Sequence, residues 1–222
     1  MRKRIFNRRE KWMLLAALVS DLIAYYLGRL LSANRYHYDF TTSLDRRIPM
    51  VSWMIVIYVG CYVFWVVNYA IAVKAEEKES MRFLTAHIIG ETVCFLCFVM
   101  LPTTMQRPEI TGTTFFENLM QYIYRLDSPD NLLPSIHCFA SWMCWIGVRK
   151  HKKVPKWYRY ASLIIAAAVC ISTLTVKQHI LWDVIAGVAL AEASYSFAGC
   201  LLKRHGFRKQ DWKTRSRQKG GI

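Results

Sequence analysis

The sequence predicts an all-α protein, a bundle of six membrane-crossing helices with both chain ends on the cytoplasmic side. Three observations carry that expectation: six apolar runs, basic residues gathered in alternate loops, and a composition that is 54% hydrophobic yet carries a net charge of +15. A basic chain with its charge on a soluble face would suit nucleic acid. Here the 30 Lys and Arg flank apolar runs, so they point to membrane topology and anionic lipid headgroups.

The first run, residues 12 to 32, follows the basic stretch RKRIFNRREK. That order resembles a signal peptide, but no small-residue cleavage site follows a short core, so the run is expected to remain as the first span. The others are residues 50 to 73, 83 to 104, 134 to 148, 158 to 176 and 180 to 202. A span needs about 20 mostly apolar residues. The fourth and fifth runs are short, and the fourth is expected to extend into its basic flank. Positive residues stay on the cytoplasmic side. KAEEKESMR, RKHKKVPK and the tail KRHGFRKQDWKTRSRQK therefore fall inside with the N-terminus, and the mixed-charge loops 33 to 49 and 105 to 133 fall outside. The chain contains no internal repeat, low-complexity segment or soluble domain. The seven cysteines (61, 94, 97, 138, 144, 170 and 200) lie in or beside apolar runs, which argues against a disulfide framework or zinc ribbon. Cys94 and Cys97 form a C-x-x-C with no second pair, so packing is its expected role.

Three polar clusters stand at the outer ends of spans: LPTTMQRPE (101 to 109), NLLPSIH (131 to 137) and VKQHILWD (176 to 183). His179 and Asp183 are spaced i, i+4 and so share a helix face. The carboxylate can accept from one ring nitrogen, fix the tautomer and leave the other nitrogen as base or nucleophile. Taken alone, H-x-x-x-D reads equally well as a structural pair. Pro134 and Ser135 are expected in the first turn of the fourth helix, where free N–H groups and the helix dipole suit an anion. Ser135 is a cap by default, but its hydroxyl can also donate to a phosphate oxygen. His137, in the same turn, is placed to protonate a leaving alkoxide. Arg107 and Lys177 supply positive charge for a phosphoryl group, although either alone reads as a loop cation near headgroups.

Arg107-Pro108, Pro134-Ser135-Ile136-His137, and Ser172 with His179 and Asp183 resemble, in order and spacing, the three signature motifs of the type 2 phosphatidic acid phosphatase superfamily. The resemblance covers about residues 80 to 203, a catalytic core within one integral membrane domain over 1 to 222, with 204 to 222 as a basic cytoplasmic tail. It implies a six-helix bundle with metal-independent catalysis and no cofactor. His179 would be the nucleophile that forms a phosphohistidine, Asp183 its orienting partner and His137 the leaving-group acid, with Arg107 and Ser135 holding phosphate oxygens. Two family cations are replaced: Met100 stands where the first motif begins with Lys, and Thr173 where the third has Arg. Lys177 is a candidate to compensate. Ile136 stands where Gly is commoner, and YRLDSPDNLLPSIH is similar to the branch that includes inositol phosphorylceramide synthases. The expected activity is hydrolysis of a lipid phosphate, such as phosphatidic acid or an isoprenyl phosphate or diphosphate, at the non-cytoplasmic face. The alternatives are transfer of a phosphoryl headgroup to a lipid alcohol, and a transporter or channel lined by buried carboxylates. A metal bound by His137, His179 and Asp183 ranks below these, because the nearby cations would oppose it. The expected partners are the lipid substrate and membrane lipids, not nucleic acid.

Asp21, Glu91 and Glu192 are expected near mid-membrane, joined with His87 in a polar network or, less favoured, an ion or proton path. With the third span running to residue 104, Glu91 would lie about 20 Å below its outer end, too deep to reach the same phosphate. Trp142, Trp145 and Trp182 are expected as packing and interface anchors.

Overall fold

The computed structural model describes residues 5–204; residues 205–222 of the expected tail lie outside the described residues. The chain is an all-α multi-pass membrane bundle. α1 (Arg8–Leu22) passes through a π-helical turn (Ile23–Leu27) into α2 (Gly28–Ser32), giving one rod, Arg8–Ser32. Asn7 caps it by accepting from Glu10 N, and Glu10 returns the bond. Then come β1 (Tyr38–Asp39), α3 (Ser43–Arg47), α4 (Ile55–Ala72) and α5 (Glu77–Met100). β2 (Thr103–Thr104), α6 (Phe115–Leu126), α7 (Ile136–Arg149), α8 (Lys156–Thr175) and α9 (Leu181–Arg204) complete the described chain.

Among the described residues, five rods are long and apolar enough to cross a membrane: Arg8–Ser32, Ser52–Ala72, Glu77–Met100, Lys156–Thr175 and Leu181–Arg204. The fourth expected span is a helix, but α7 has only 14 residues and ends at Arg149 instead of continuing into the basic flank. It is about 21 Å long, against a hydrocarbon core of roughly 30 Å. α7 lies at the centre of the bundle, packed on α4, α5, α8 and α9. Its Phe139 and Met143 join Phe83 and Tyr195, with Ala72, Ala86, Ala166, Ala191 and Ala198 between the helices. Small residues at such contacts let backbones approach, which is how helices gain van der Waals contact where lipid supplies no hydrophobic drive. Leu18, Val63, Val66, Ile164 and Ile185 point outward, as an apolar solvent requires.

The helices alternate in direction. One end gathers Arg9 on Ser80, Lys152 on Glu76 and Arg149 on Glu192. Tyr195 of α9 also bonds Glu79 there, so both ends of the described chain share it. The opposite end holds Arg29 on Asp130 and the parallel β1–β2 pairing, Tyr38 with Thr103 and Asp39 with Thr104.

Three expectations need correction. The third span begins at Glu77 and ends at Met100, not 83 and 104. Its polar first turns stay helical, and Pro102 forces Leu101 out of the helix, to φ −136°. Segment 105 to 133 is not merely a loop, because α6 lies within it, started by a Thr114–Glu117 capping box. Finally, Glu192 stands apart from Asp21, His87 and Glu91: it accepts from Trp142 Nε1 at 3.0 Å and pairs with Arg149 at 2.6 Å.

Candidate active site

Asp45, on the short helix α3, shapes the start of α9. Its Oδ1 accepts from Leu181 N at 2.8 Å, and its Oδ2 closes a capping box with Thr42. Hydrogen bonding of this kind stabilises the carboxylate; despite burial, Thr42 and the Leu181 amide hold Asp45 below its ordinary pKa. The turn before α9 is tight: Lys177 has φ 55°, and Gln178 N and His179 N both donate to Thr173 O. That turn aims His179 back at the bundle.

His179 Nδ1 lies 3.2 Å from Asp183 Oδ2, which also accepts from Ile180 N at 3.0 Å. Both residues are buried, at 8% and 1% exposure. Burial opposes the imidazolium, but the hydrogen bond and charge of Asp183 outweigh it and raise the pKa of His179. The expected contact is present, but His179 stands in the turn before α9 and does not share its helical face with Asp183; an Nδ1–H directed at Asp183 would leave Nε2 with its lone pair.

Ser135 caps α7, accepting from Cys138 N at 3.3 Å, and its own N–H donates to Asp183 O at 3.1 Å. α7 and α9 meet there because Gly187 has no side chain: a Cβ would fall 2.6 Å from Ser135 O. This approach brings the His137 ring to 5.8 Å from that of His179, centroid to centroid. Three aromatic residues of α4 hold His137. Tyr58 stacks on it at 4.6 Å, Trp65 leans on it at 5.5 Å, and the Tyr62 hydroxyl lies 3.4 Å from its Nε2.

Arg107 enters from the loop between β2 and α6 over the Tyr124 ring, 4.7 Å away. Its Nη1 donates to Asp127 O and its Nη2 to Gln178 Oε1. Two buried donors beside that bond have no acceptor among the described residues, Arg107 Nε and Gln178 Nε2. Burial lowers the Arg107 pKa, although Asp127 and Tyr124 oppose the shift; a guanidinium starting so high stays charged at neutral pH. The structure therefore brings His137, His179, Asp183, Ser135 and Arg107 to one end of the bundle. It commits Lys177 elsewhere: its ammonium donates to Asp45 O at 3.0 Å and Ile48 O at 2.5 Å. Met100 is 73% exposed, and the Thr173 hydroxyl donates to Cys170 O while the Thr173 carbonyl accepts from His179 N.

Sequence reasoning missed Gln178, Asp127 and the Tyr58–Tyr62–Trp65 cage. Asp127 accepts from Tyr25 at 2.7 Å and Tyr58 at 3.5 Å, linking the first rod, α4 and the Arg107 loop. Polar residues within VKQH and YRLD were the only signal, and spacing alone cannot say which of them turn inward. An apolar groove lined by Phe40, Leu133, Trp182, Ile185 and Ala186 adjoins Pro134 and Asp183 along the chain. No protein-family model matches the chain, and no curated protein matches it.

Proposed function

We propose that this protein is a membrane phosphatase of lipid phosphate esters, resembling the type 2 phosphatidic acid phosphatases, and that it works through a phosphohistidine at His179. The observation that carries this reading is the facing of His137 by the oriented His179–Asp183 pair, at 5.8 Å. In this scheme Nε2 of His179 attacks phosphorus. The P–N bond forms as the P–O ester bond breaks, and His137 gives its proton to the departing alkoxide. Water then attacks phosphorus, the P–N bond breaks, and His137 takes the proton from that water. Inorganic phosphate leaves and both imidazoles are restored. Asp183 keeps Nδ1–H in place and balances the charge on His179 through both steps.

The unpartnered donors Arg107 Nε and Gln178 Nε2 suit the phosphoryl oxygens, where fixed donors act strongest in a water-poor site. Ser135, as the α7 cap, presents the helix N-terminus to the same group. The apolar groove suits an acyl or isoprenyl chain. The same groove also admits a lipid alcohol, which makes headgroup transfer the second reading; the covalent step is common to both. In the proposed topology α7 counts as a sixth crossing, both termini are cytoplasmic, and the histidines face the opposite side of the membrane.

The test is turnover by purified protein against phosphatidic acid and an isoprenyl diphosphate, with chelator present. Release of inorganic phosphate is the expected result. Headgroup exchange without phosphate release would replace hydrolysis by transfer, and no turnover of either kind would remove the proposal.

A further inference from the structure

Apart from the histidine pair, three ionisable side chains converge between α1 and α5. Asp21 of α1, and His87 and Glu91 of α5, each present a ligand-type atom within 4.8 Å of the others. His87 and Glu91 are 0% and 1% exposed. His87 is ten residues from the start of α5 and thirteen from its end, so the cluster sits near mid-membrane, where an uncompensated charge is costly.

The hydrogen bonding is incomplete in one direction. Asp21 Oδ1 lies 3.0 Å from His87 Nε2 but out of line for a hydrogen bond, and among the described residues neither oxygen of Glu91 has a partner. Three buried oxygens thus meet at one place without a donor. Among the described residues, neither carboxylate pairs with a lysine or arginine. Two carboxylates so close need positive charge between them. One proton shared between the two carboxylates joins one oxygen of each and leaves at least one of the three without a donor.

We propose that Asp21, His87 and Glu91 bind a divalent first-row transition ion that staples α1 to α5. Two carboxylates and one imidazole nitrogen are ligands of the zinc type, whereas Mg²⁺ and Ca²⁺ prefer oxygen throughout. A divalent ion with two carboxylates makes a neutral cluster, the form a membrane interior tolerates. The second shell is in place: Tyr69 Oη lies 2.8 Å from His87 Nδ1, so an Nδ1–H donated to it leaves Nε2 for the ion. Ala17 O, 3.4 Å from Nε2, offers a further oxygen. An ion about 2.1 Å from each ligand needs them within about 4.2 Å of one another, so a small rotamer closure completes the site. The π-helical turn Ile23–Leu27 begins two residues after Asp21, and such turns recur at functional sites.

The test uses full-length protein in detergent, stripped with chelator, incubated with Zn²⁺ and desalted, with bound metal counted by mass spectrometry. About one zinc per chain is expected to remain. Glu91→Gln and His87→Gln should each lose it, while a His137→Ala/His179→Ala variant keeps it. Zinc should also raise the Tm of the parental chain and not that of Glu91→Gln, a comparison made within each protein and so independent of how stable the variant is. No retained zinc in the parental chain, which would leave a shared proton as the account, overturns the proposal. So does zinc retained by Glu91→Gln, or zinc lost only with the active-site histidines.

Discussion

At the scale of single residues, the proposed nucleophile and acid fail differently when removed. His179→Ala should abolish an acid-labile phosphoprotein trapped from labelled substrate, while the parent and His137→Ala still form it. His137→Ala should slow cleavage of an alkyl ester about 10²- to 10⁴-fold but leave an activated aryl phosphate, which needs no proton, nearly unaffected. Parental turnover by His179→Ala would remove the nucleophile assignment. The environment of His179 sets a second expectation. Burial disfavours its charged form, yet Asp183 raises its pKa above the ordinary 6.5. Only the neutral ring attacks, so the acid limb of kcat/KM should lie above pH 6.5 and activity should fall as pH drops through it. Asp183→Asn removes the charge that favours the imidazolium and leaves the burial. Its acid limb should move to lower pH while the plateau rate falls. An unmoved limb in the pH–rate profile would separate that titration from His179.

At the scale of elements, the site depends on two contacts that no motif contains. Gly187 lets α9 reach the first turn of α7. In Gly187→Ala the new methyl would meet backbone at 2.6 Å, contact that only helix movement can relieve. Overpacking of this kind costs about 1–3 kcal/mol, so thermal unfolding in detergent should show a lower Tm, with loss of turnover as the histidines separate. An unchanged Tm with full activity would mean that the approach is not required. Asp45 caps α9 from α3, holding Leu181 N two residues beyond His179. Asp45→Ala also breaks the α3 capping box, and each cap is worth about 0.5–2 kcal/mol. A fall in Tm together with weakened phosphoprotein trapping is expected; trapping at the parental level would make Asp45 a stabilising residue only. α6 was legible in principle. Thr114 with Glu117 is a capping pattern, and Phe116, Leu119, Met120 and Ile123 follow helical spacing.

At the scale of the whole molecule, the proposed orientation places segment 105 to 133 outside and segment 149 to 157 inside. Glu109→Cys and Lys152→Cys, both at exposed positions, test it with an impermeant thiol reagent on intact cells, read against the parental background. Labelling at 109 and protection at 152 is expected. The reverse pattern would put the histidines on the cytoplasmic face. The contacts joining Arg9, Ser80, Lys152 and Glu76 at one end of the bundle tie both results to a single orientation.

The sequence by itself determined the all-α membrane class and the helix for each of the six runs, because a lipid-facing helix must be apolar along its length and its backbone bonds are local. It also put His179 beside Asp183, although the contact is made from the turn before α9, with Asp183 in the first turn of the helix reaching back to it. Boundaries were less legible: the polar first turns of α5 carry no hydropathy, and α7 is shorter than a span, its first turn set by the Ser135 cap and by the approach of Gly187. Tertiary structure alone decided that Lys177 serves the carbonyls of α3 and not the histidines, that Gln178 and the aromatic residues of α4 join them, and that Asp21 meets His87 and Glu91 while Glu192 goes to Arg149. Each of these depends on how rods distant in sequence rotate about their axes. That rotation follows from the packing of side chains across all the helices at once, which no local pattern encodes.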